Sequence, residues 1–216
     1  GISVMIAVID YGLGNLFSLK SSLDYIGLDN ILTSDKDVIR NADAIILPGV
    51  GAFRDAISKL KEDGLYELLI EQANSGKPFL GICLGMQLLF EKSYEYGEYE
   101  GLGLINGEIR SIEEDIDESL KNLKIPHMGW NNLKFNYISK NDPILNGINE
   151  DEYVYFVHSY YASTPIENVI TYSNYGVKIP GVVRKNNVYG MQFHPEKSSD
   201  TGLKLLKNWG KIIENR

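Results

Sequence analysis

Cys83 is the residue of this chain whose type and surroundings best suit covalent chemistry. It is the only cysteine among 216 residues, at the centre of the segment GICLG (81–85), between a short apolar run and a helical pattern. Glycine two positions before and after a nucleophile is typical of a sharp strand-to-helix turn, which leaves no room for neighbouring Cβ atoms. Such a turn exposes the thiol at a helix N-terminus, which favours a thiolate. A lone cysteine after an apolar strand is also common as a small core residue, so the nucleophile hypothesis needs a partner.

A histidine and a carboxylate near the C-terminus can supply that partner. The segment QFHPE places His194 and Glu196 at the end of a strand predicted over residues 188–193. In extended backbone, positions i and i+2 point to the same side, so Glu196 can hold the His194 ring in one tautomer. Pro195 favours extended backbone in the residue before it. The three side chains predict a Cys-His-Glu triad, in which the imidazole activates the thiol and the carboxylate orients the imidazole.

The other histidines and the acidic run give weaker signals. His158 lies in an apolar run and is interpreted as either a core histidine or a functional one. His127 lies in the cluster PHMGWN (126–131), which is interpreted as a loop with a buried aromatic or as a functional loop. One cysteine and three scattered histidines provide no metal-ligand spacing, so we expect no metal and no cofactor. The acidic run over residues 113–118 is typical of a solvated face.

The first ninety residues predict the elements that would position Cys83. Apolar runs predict strands buried on both faces, and amphipathic stretches between them predict helices. The strands are predicted at residues 4–9, 30–33, 44–47 and 78–82. Helices are predicted at residues 16–26, 53–62 and 66–75. A short helix is predicted after a cap at Ser34, and residues 86–90 begin another helical pattern. This alternation predicts an α/β fold with a doubly wound, largely parallel open sheet and flanking helices, whose chemistry gathers at the carboxyl ends of the strands.

The loop after the third predicted strand is a second candidate for the site. Residues 48–53 read PGVGAF, in which Gly49 and Gly51 allow the backbone to approach a ligand and present its N–H groups. The loop leaves the same edge of the predicted sheet as Cys83. A plain strand-to-helix turn is the alternative interpretation.

The second half of the chain predicts more strands than helices. These strands are predicted at residues 153–162, 169–172, 181–184 and 188–193. Because no helices separate them, they indicate a mixed or antiparallel portion of the sheet. Residues 91–101 predict a polar loop, residues 102–112 a hairpin, and residues 201–213 an amphipathic closing helix. No linker or repeat divides the sequence, so we expect a single domain over residues 1–216.

Composition and charge exclude several classes of function. A hydrophobic fraction of 44% in 216 residues can bury a sizeable core. The net charge of -8 argues against binding to nucleic acid or to an anionic membrane surface. A single cysteine excludes an internal disulfide framework, and the sequence has no apolar run long enough to span a membrane. We therefore expect a cytoplasmic protein with neither a nucleic-acid nor a membrane partner.

The motifs around the triad resemble those of a known family. GICLGMQ around Cys83 and FHPE around His194 are similar to the class I (triad) glutamine amidotransferase family, in the family's order and separation. The segments DYGLGN, PGVGAF, PHMGWN, HSYY and FHPEKSS are similar to the family's glutaminase subunits of histidine biosynthesis. This resemblance covers nearly the whole chain. It implies hydrolysis of glutamine to glutamate and ammonia through a cysteine thioester.

The resemblance also implies roles for individual residues. The oxyanion would lie between the Leu84 N–H and an N–H of Val50 or Gly51. Residues of the glutamine pocket would be Gly49, Gln87, Ser159 and Tyr160.

A partner is implied as well, namely a separate cyclase subunit of (β/α)8 fold that forms a heterodimer with this chain and consumes the ammonia. Asn15, Trp130 and Lys197 are the candidates for the surface that faces it, and an ordinary solvated lysine is the alternative interpretation of Lys197. Hydrolysis without a waiting acceptor is futile. We therefore predict that the cyclase and its nucleotide raise the glutaminase rate, with the backbone of residues 49–51 as the switch.

Two other functions remain open. The chain could supply ammonia to a different synthase, which alternative acceptor subunits would reveal. It could also be a catalytically idle regulatory module of the same fold, although the complete triad argues against this.

Overall fold

The computed structural model describes residues 4–216, so that residues 1–3 of the expected domain lie outside it. The strands are β1 Ile6–Ile9, β2 Asn30–Thr33, β3 Ala44–Leu47, β4 Phe79–Ile82, β5 Phe90–Ser93, β6 Tyr99–Glu100, β7 Ile105–Ser111, β8 His127–Asn132, β9 Lys134–Phe135, β10 Tyr153–His158, β11 Tyr160–Ser163, β12 Val169–Asn174, β13 Lys178–Lys185 and β14 Val188–Met191. The helices are α1 Leu16–Tyr25, α2 Lys36–Asn41, α3 Phe53–Glu62, α4 Tyr66–Asn74, α5 Leu84–Gln87, α6 Ile112–Asp115 and α7 Ser199–Glu214.

A central sheet of eight strands, in the order β2-β1-β3-β4-β14-β13-β12-β9, organises the fold. The pairs from β2 to β14 are parallel, and the pairs from β14 to β9 are antiparallel. This arrangement confirms the predicted α/β class with a largely parallel sheet and an antiparallel C-terminal portion. β4 and β14 are neighbours, with Ile82 opposite Met191. Cys83 and His194 therefore leave the sheet at the same edge, although more than a hundred residues separate them.

Both faces of the sheet are buried, as the apolar runs predict. Along β1, Ile6 and Val8 pack into one core cluster while Ala7 and Ile9 pack into the other, and none of the four is exposed. Helices α1 and α7 contribute to the first cluster, and α2, α3 and α4 contribute to the second. Side chains at helical spacing make these contacts, and in α3 they are Phe53, Ala56, Ile57 and Leu60. Truncation of a fully buried side chain such as Phe79 to alanine would cost about 3–5 kcal/mol.

Two smaller sheets, β10-β8 and β11-β7-β5-β6, differ from the sequence-based predictions. The cluster at 126–131, interpreted as a loop, contains most of β8. The predicted polar loop at 91–101 contains parts of β5 and β6, and the predicted hairpin at 102–112 is the single strand β7. Strands β7 and β8 pair with β11 and β10, which are distant in sequence, and all four strands from β5 to β8 are polar on one side, so local composition alone resembles that of loops.

Two other element boundaries also differ. The helix after Cys83 ends at Gln87, and the apolar residues that follow enter β5, because a short apolar run does not distinguish a buried strand from a helix. The run predicted as one strand over 153–162 is broken at Ser159 into β10 and β11, which belong to different sheets. The cap of α2 is Asp35 rather than Ser34, since the Asp35 side chain accepts hydrogen bonds from two N–H groups of the first turn.

Candidate active site

The backbone at Cys83 is sharply bent, and two glycines make that bend possible. Cys83 has φ 56° and ψ −116° between β4 and α5, a conformation that non-glycine residues rarely adopt. A Cβ on Gly81 would lie 2.5 Å from the Gly85 carbonyl oxygen, and a Cβ on Gly85 would lie 1.7 Å from the Leu47 carbonyl oxygen. Both glycines are required because the obstructing atoms are backbone. The four-residue helix α5 has a small dipole, so the main electrostatic partner of the thiol is a side chain.

That side chain is His194, and Glu196 holds its ring. His194 Nδ1 lies 2.8 Å from Glu196 Oε1, and both side chains are buried. The route to this contact differs from the predicted one. β14 ends at Met191, and residues Pro195–Lys197 form a 3₁₀ turn rather than an extended segment. The turn, not the alternation of a strand, brings the carboxylate under the imidazole.

The charge of the site follows from these contacts. Burial alone would lower the pKa of His194, but hydrogen bonds and charge interactions with Cys83 and Glu196 raise it to about 10. Since Nδ1 faces Glu196, Nε2 is the nitrogen that can bond to the thiol. At neutral pH the imidazole is therefore protonated and can donate a hydrogen bond to the Cys83 sulfur. The arrangement is that of an activated nucleophile with an adjacent proton donor.

The loop after β3 closes over the same edge of the sheet. The buried hydroxyl of Tyr11 donates a 2.7 Å hydrogen bond to the Pro48 carbonyl oxygen. Gly51 has φ +102°, and a Cβ on Gly49 would lie 2.5 Å from the Tyr11 hydroxyl oxygen. Burial, followed by the charge of Cys83, raises the pKa of Tyr11 well above its usual range, so its hydroxyl remains protonated and can donate. The phenol thus fixes the start of the loop.

A cavity of about 220 Å³ brings together most of the predicted site residues. Those on its wall are Val50, Gly51, Cys83, Leu84, Gln87, Ser159, Tyr160 and His194. Gly49 and Glu196 line a neighbouring cavity of about 30 Å³, together with Asn15 and Lys197. The two cavities share Val50 and His194, so the predicted triad, loop and pocket residues form one continuous site.

Gln87 connects two sides of this site. Its Nε2 donates to the Tyr160 carbonyl oxygen at 3.0 Å and to Gln192 Oε1 at 3.1 Å. The side chain is buried and one helical turn after Cys83. Because its amide nitrogen already has two partners within the protein, Gln87 connects α5, the helix after Cys83, to the wall formed by β11.

Glu95 lines the site although no sequence motif predicts it there. Its carboxylate lines the larger cavity and accepts a 2.8 Å hydrogen bond from the Phe53 N–H. Burial raises the pKa of Glu95 more than this hydrogen bond lowers it. Glu95 follows β5 in a segment with no recognisable motif, so only its place in the fold indicates a role. A carboxylate on the wall of a small cavity suits a ligand that carries an ammonium group.

The residues predicted to face a partner lie in two places. Asn15 caps α1 by accepting from the Phe17 N–H at 3.2 Å, and it shares the smaller cavity with Lys197. Trp130 is 52% exposed on β8, and its ring meets that of Tyr155 edge to face. Met128 and Tyr153 are also exposed on this small sheet. We call Trp130, Met128 and Tyr153 together the aromatic patch. The Tyr155 carbonyl accepts a hydrogen bond from the His194 N–H at 3.0 Å, so this patch adjoins the triad.

His127 and His158, the remaining histidines, lie in a buried hydrogen-bonded pair at the back of the larger cavity. Within residues 4–216, no group of three or more histidine, cysteine, aspartate or glutamate side chains is placed to hold a metal ion. No helix in the same range has the length and apolar character needed to cross a bilayer.

Comparisons with known proteins agree on one family. Residues 7–212 match the family described as "Glutamine amidotransferase class-I". The chain is 50% identical over 210 residues to "Imidazole glycerol phosphate synthase subunit HisH" of Bacillus cereus (strain G9842), covering 97% of this chain and 96% of that protein. It is 51% identical over 213 residues to the protein of the same name from Caldanaerobacter subterraneus subsp. tengcongensis, covering 97% and 99%. A chain in the "Structure of PurLQS from Thermotoga maritima" superposes with a TM-score of 0.73 at 19% identity, covering 98% of this chain and all of that one, which shows a shared fold.

Proposed function

Because the chain belongs to the class I glutamine amidotransferase family, we propose that it is the glutaminase subunit of an imidazole glycerol phosphate synthase in histidine biosynthesis. The observation that carries this proposal is the contact of His194 with both Cys83 and Glu196 where two cavities adjoin, in a chain half identical to synthase subunits of that name. The reaction is hydrolysis of glutamine to glutamate and ammonia.

Catalysis proceeds in two stages. In the first, the Cys83 thiolate attacks the side-chain amide carbon of glutamine, and the C–N bond breaks as the His194 imidazolium gives its proton to the departing ammonia. In the second, neutral His194 takes a proton from water, and the hydroxide attacks the thioester. The C–S bond breaks and restores the thiolate beside a protonated imidazole. Glu196 keeps His194 oriented throughout. These side chains and water balance both stages, so we propose that no metal or cofactor takes part.

The tetrahedral intermediates carry a negative oxygen that needs hydrogen-bond donors. We assign one donor to the Leu84 N–H and the other to the N–H of Val50 or Gly51, because all three residues line the cavity beside Cys83. Loss of one such donor typically lowers the rate by about 10²- to 10³-fold.

The remaining cavity residues suit the amino-acid end of glutamine. Gln87, Ser159 and Tyr160 form the wall beyond the nucleophile, and Gly49 holds the loop close above it. Glu95 supplies the negative charge that an α-ammonium group requires.

We further propose that residues 1–216 act as one domain and form a cytoplasmic heterodimer with a cyclase subunit of (β/α)8 fold. That partner would use the ammonia to make imidazole glycerol phosphate and an aminoimidazole carboxamide ribotide. Asn15, Trp130 and Lys197 are assigned to the shared surface. The support is their position beside the triad, with Trp130 half exposed in an aromatic patch.

The deciding experiment is ammonia release from glutamine by the purified chain, alone and with the cyclase and its ribonucleotide ligand. We expect the liganded cyclase to increase ammonia release strongly in the wild type. In the Cys83→Ala control we expect no ammonia release with or without the cyclase. Ammonia release that the cyclase does not change would assign the chain to a different synthase. Incorporation of the ammonia by alternative acceptor subunits would then identify that synthase. Absence of activity in every mixture would indicate a catalytically idle regulatory module.

A further inference from the structure

Two buried histidines outside the triad form a hydrogen-bonded chain that ends at the cavity wall. His158 Nδ1 lies 2.8 Å from the Tyr160 carbonyl oxygen, and His158 Nε2 lies 2.8 Å from His127 Nδ1. His127 Nε2 in turn lies 3.2 Å from Asn131 Nδ2. His127 and His158 stand opposite each other in the antiparallel pair of β8 and β10.

The Tyr160 carbonyl oxygen, at the end of this series of hydrogen bonds, determines the direction of every bond in it. A carbonyl oxygen only accepts, so His158 Nδ1 carries the hydrogen. Burial, with smaller contributions from the charges of His127 and His194, lowers the pKa of His158 to about 3, and burial lowers the pKa of His127 to about 4. Both rings are therefore neutral at pH 7. His158 Nε2 must then accept from His127 Nδ1, and His127 Nε2 must accept from the Asn131 amide.

The chain ends at the point where the backbone leaves one sheet and enters another. β10 ends at His158 and β11 begins at Tyr160, so Ser159 is the corner between the two small sheets. The hydrogen bond from His158 to the Tyr160 carbonyl spans this corner. The same carbonyl accepts from Gln87 Nε2 at 3.0 Å. The corner and Gln87 both line the cavity beside Cys83.

We propose that His127 and His158 are positioning residues for glutamine binding, with the His127 Nδ1–H holding His158 in the tautomer that sets the corner at Ser159. This inference rests on the proposed function, whose pocket the corner forms. Neither histidine takes part in bond making. The pair determines where Ser159 and the Tyr160 carbonyl stand relative to Cys83.

Packing alone does not require nitrogen at position 127. The His127 ring stacks on Tyr175, with centroids 4.2 Å apart, and on Phe156, with centroids 4.7 Å apart. A phenylalanine ring can make the same stacked contacts. It would, however, leave His158 Nε2 buried without a donor, which either strains the corner or drives His158 to change tautomer.

This contrast supplies a matched pair of variants. His127→Phe keeps an aromatic ring between Tyr175 and Phe156 but removes the donor to His158. His127→Asn loses the stacking but retains an amide hydrogen at the position of Nδ1. With the liganded cyclase present, we expect His127→Phe to raise the KM for glutamine about tenfold and to leave kcat within about twofold of wild type. A tenfold rise in KM is the size expected when substrate binding loses one hydrogen bond. His127→Asn should keep KM within about threefold of wild type.

Other outcomes would overturn the inference. Equal KM values for wild type and His127→Phe would show that the donor is not needed. Greater damage in His127→Asn than in His127→Phe would assign His127 to stacking. A fall in kcat with a shifted pH profile would place the effect on His194 instead of on the pocket.

Two further measurements separate this inference from the proposed function and from folding defects. Protection of Cys83 from iodoacetamide by glutamine reports occupancy of the site by a readout other than ammonia release, and His127→Phe should need about tenfold more glutamine for the same protection. If glutamine gives the wild type no protection, both proposals fail. In the intact protein, ¹⁵N NMR should show His127 and His158 protonated at Nδ1 and bare at Nε2, and a proton on Nε2 of His158 would contradict the inference even if the variants do not fold.

Discussion

His194 carries a proton at neutral pH because its neighbours outweigh its burial. A buried imidazole whose hydrogen-bond partners are uncharged stays neutral, as His158 does, whereas Cys83 and Glu196 raise the pKa of His194 to about 10. Around His194 the charges and hydrogen bonds outweigh the effect of burial on the pKa, whereas around His158 burial dominates. In the proposed reaction, the proton held this way is the one that departs with ammonia.

Replacement of Glu196 by glutamine should therefore change the pH dependence of the reaction. Glu196→Gln removes a negative charge beside Nδ1, so the pKa of His194 falls. Because the imidazolium form is the active one, kcat/KM is high below this pKa and is lost as pH rises through it. We expect the alkaline limb of the wild type near pH 10. The limb of the variant should lie at least about one pH unit lower, with kcat reduced about 10²-fold.

The measurement is kcat/KM for ammonia release between pH 6 and 10.5. Asp151→Asn, which removes an exposed carboxylate that pairs with Lys134, is the control and should leave the limb in place. An alkaline limb at the same pH in Glu196→Gln and wild type would show that Glu196 does not set the charge of His194.

At the scale of elements, two parallel strands and one loop position the chemistry. Adjacent strands β4 and β14 deliver Cys83 and His194 to one edge, and the loop after β3 covers that edge. Tyr11, which follows β1, anchors the loop through its hydrogen bond to the Pro48 carbonyl. Four neighbouring strands of the parallel sheet, β1, β3, β4 and β14, thus each contribute one part of the proposed machinery.

Removal of the Tyr11 hydroxyl should loosen the loop after β3 without weakening the binding of glutamine. In Tyr11→Phe the ring remains packed, but the Pro48 carbonyl loses its donor, so the N–H of Val50 or Gly51 is less well aligned with the oxyanion. We expect kcat to fall about tenfold with KM within about twofold of wild type, because only the charged intermediate needs this donor. Steady-state glutaminase kinetics with the liganded cyclase give both parameters.

Tyr66→Phe is the matched control, since the Tyr66 hydroxyl donates a 2.6 Å hydrogen bond to the Gly101 carbonyl away from the cavity. Both variants should lose about 1 kcal/mol of unfolding free energy, but only Tyr11→Phe should lose activity. A similar loss of kcat in the two variants would mean that Tyr11 supports general stability rather than the loop.

For the whole molecule, the position of the exposed aromatic patch relative to the triad is the main feature. Trp130, Met128 and Tyr153 are exposed on the small sheet β10-β8, whose inner side holds the His127–His158 pair. Large exposed aromatic residues are common at the centres of protein interfaces. The patch adjoins the site from which ammonia would leave, as expected for the side that faces a partner.

Trp130→Ala should therefore weaken the partnership and spare the isolated chain. We expect the Kd for the cyclase to rise about tenfold or more while basal glutaminase activity stays within about twofold of wild type, because truncation of a central aromatic residue removes binding energy and leaves the cavity unchanged. Calorimetric titration of the cyclase measures the affinity. Tyr137→Ala, which removes another highly exposed aromatic side chain, should leave it unchanged. Unaltered affinity in Trp130→Ala would place the interface elsewhere.

The amino-acid sequence by itself determined the parts of this protein that depend on neighbouring residues. Glycines at 81 and 85 mark the turn at Cys83 because a Cβ at either position would collide with backbone. Apolar runs identify the buried parallel strands, since both faces of each strand are covered. The family resemblance also depends on neighbouring residues, because its motifs are short contiguous segments around these turns.

Only the tertiary structure decided the features that join distant segments. Glu95 reaches the cavity because β5 runs beside β7. The 3₁₀ turn that begins at Pro195 sets the contact of Glu196 with His194 by a route that strand alternation does not provide. The His127–His158 chain exists because β8 and β10 pair across 31 residues. Register between distant strands and the environment of a buried ring depend on the whole packed chain, so local patterns do not specify them.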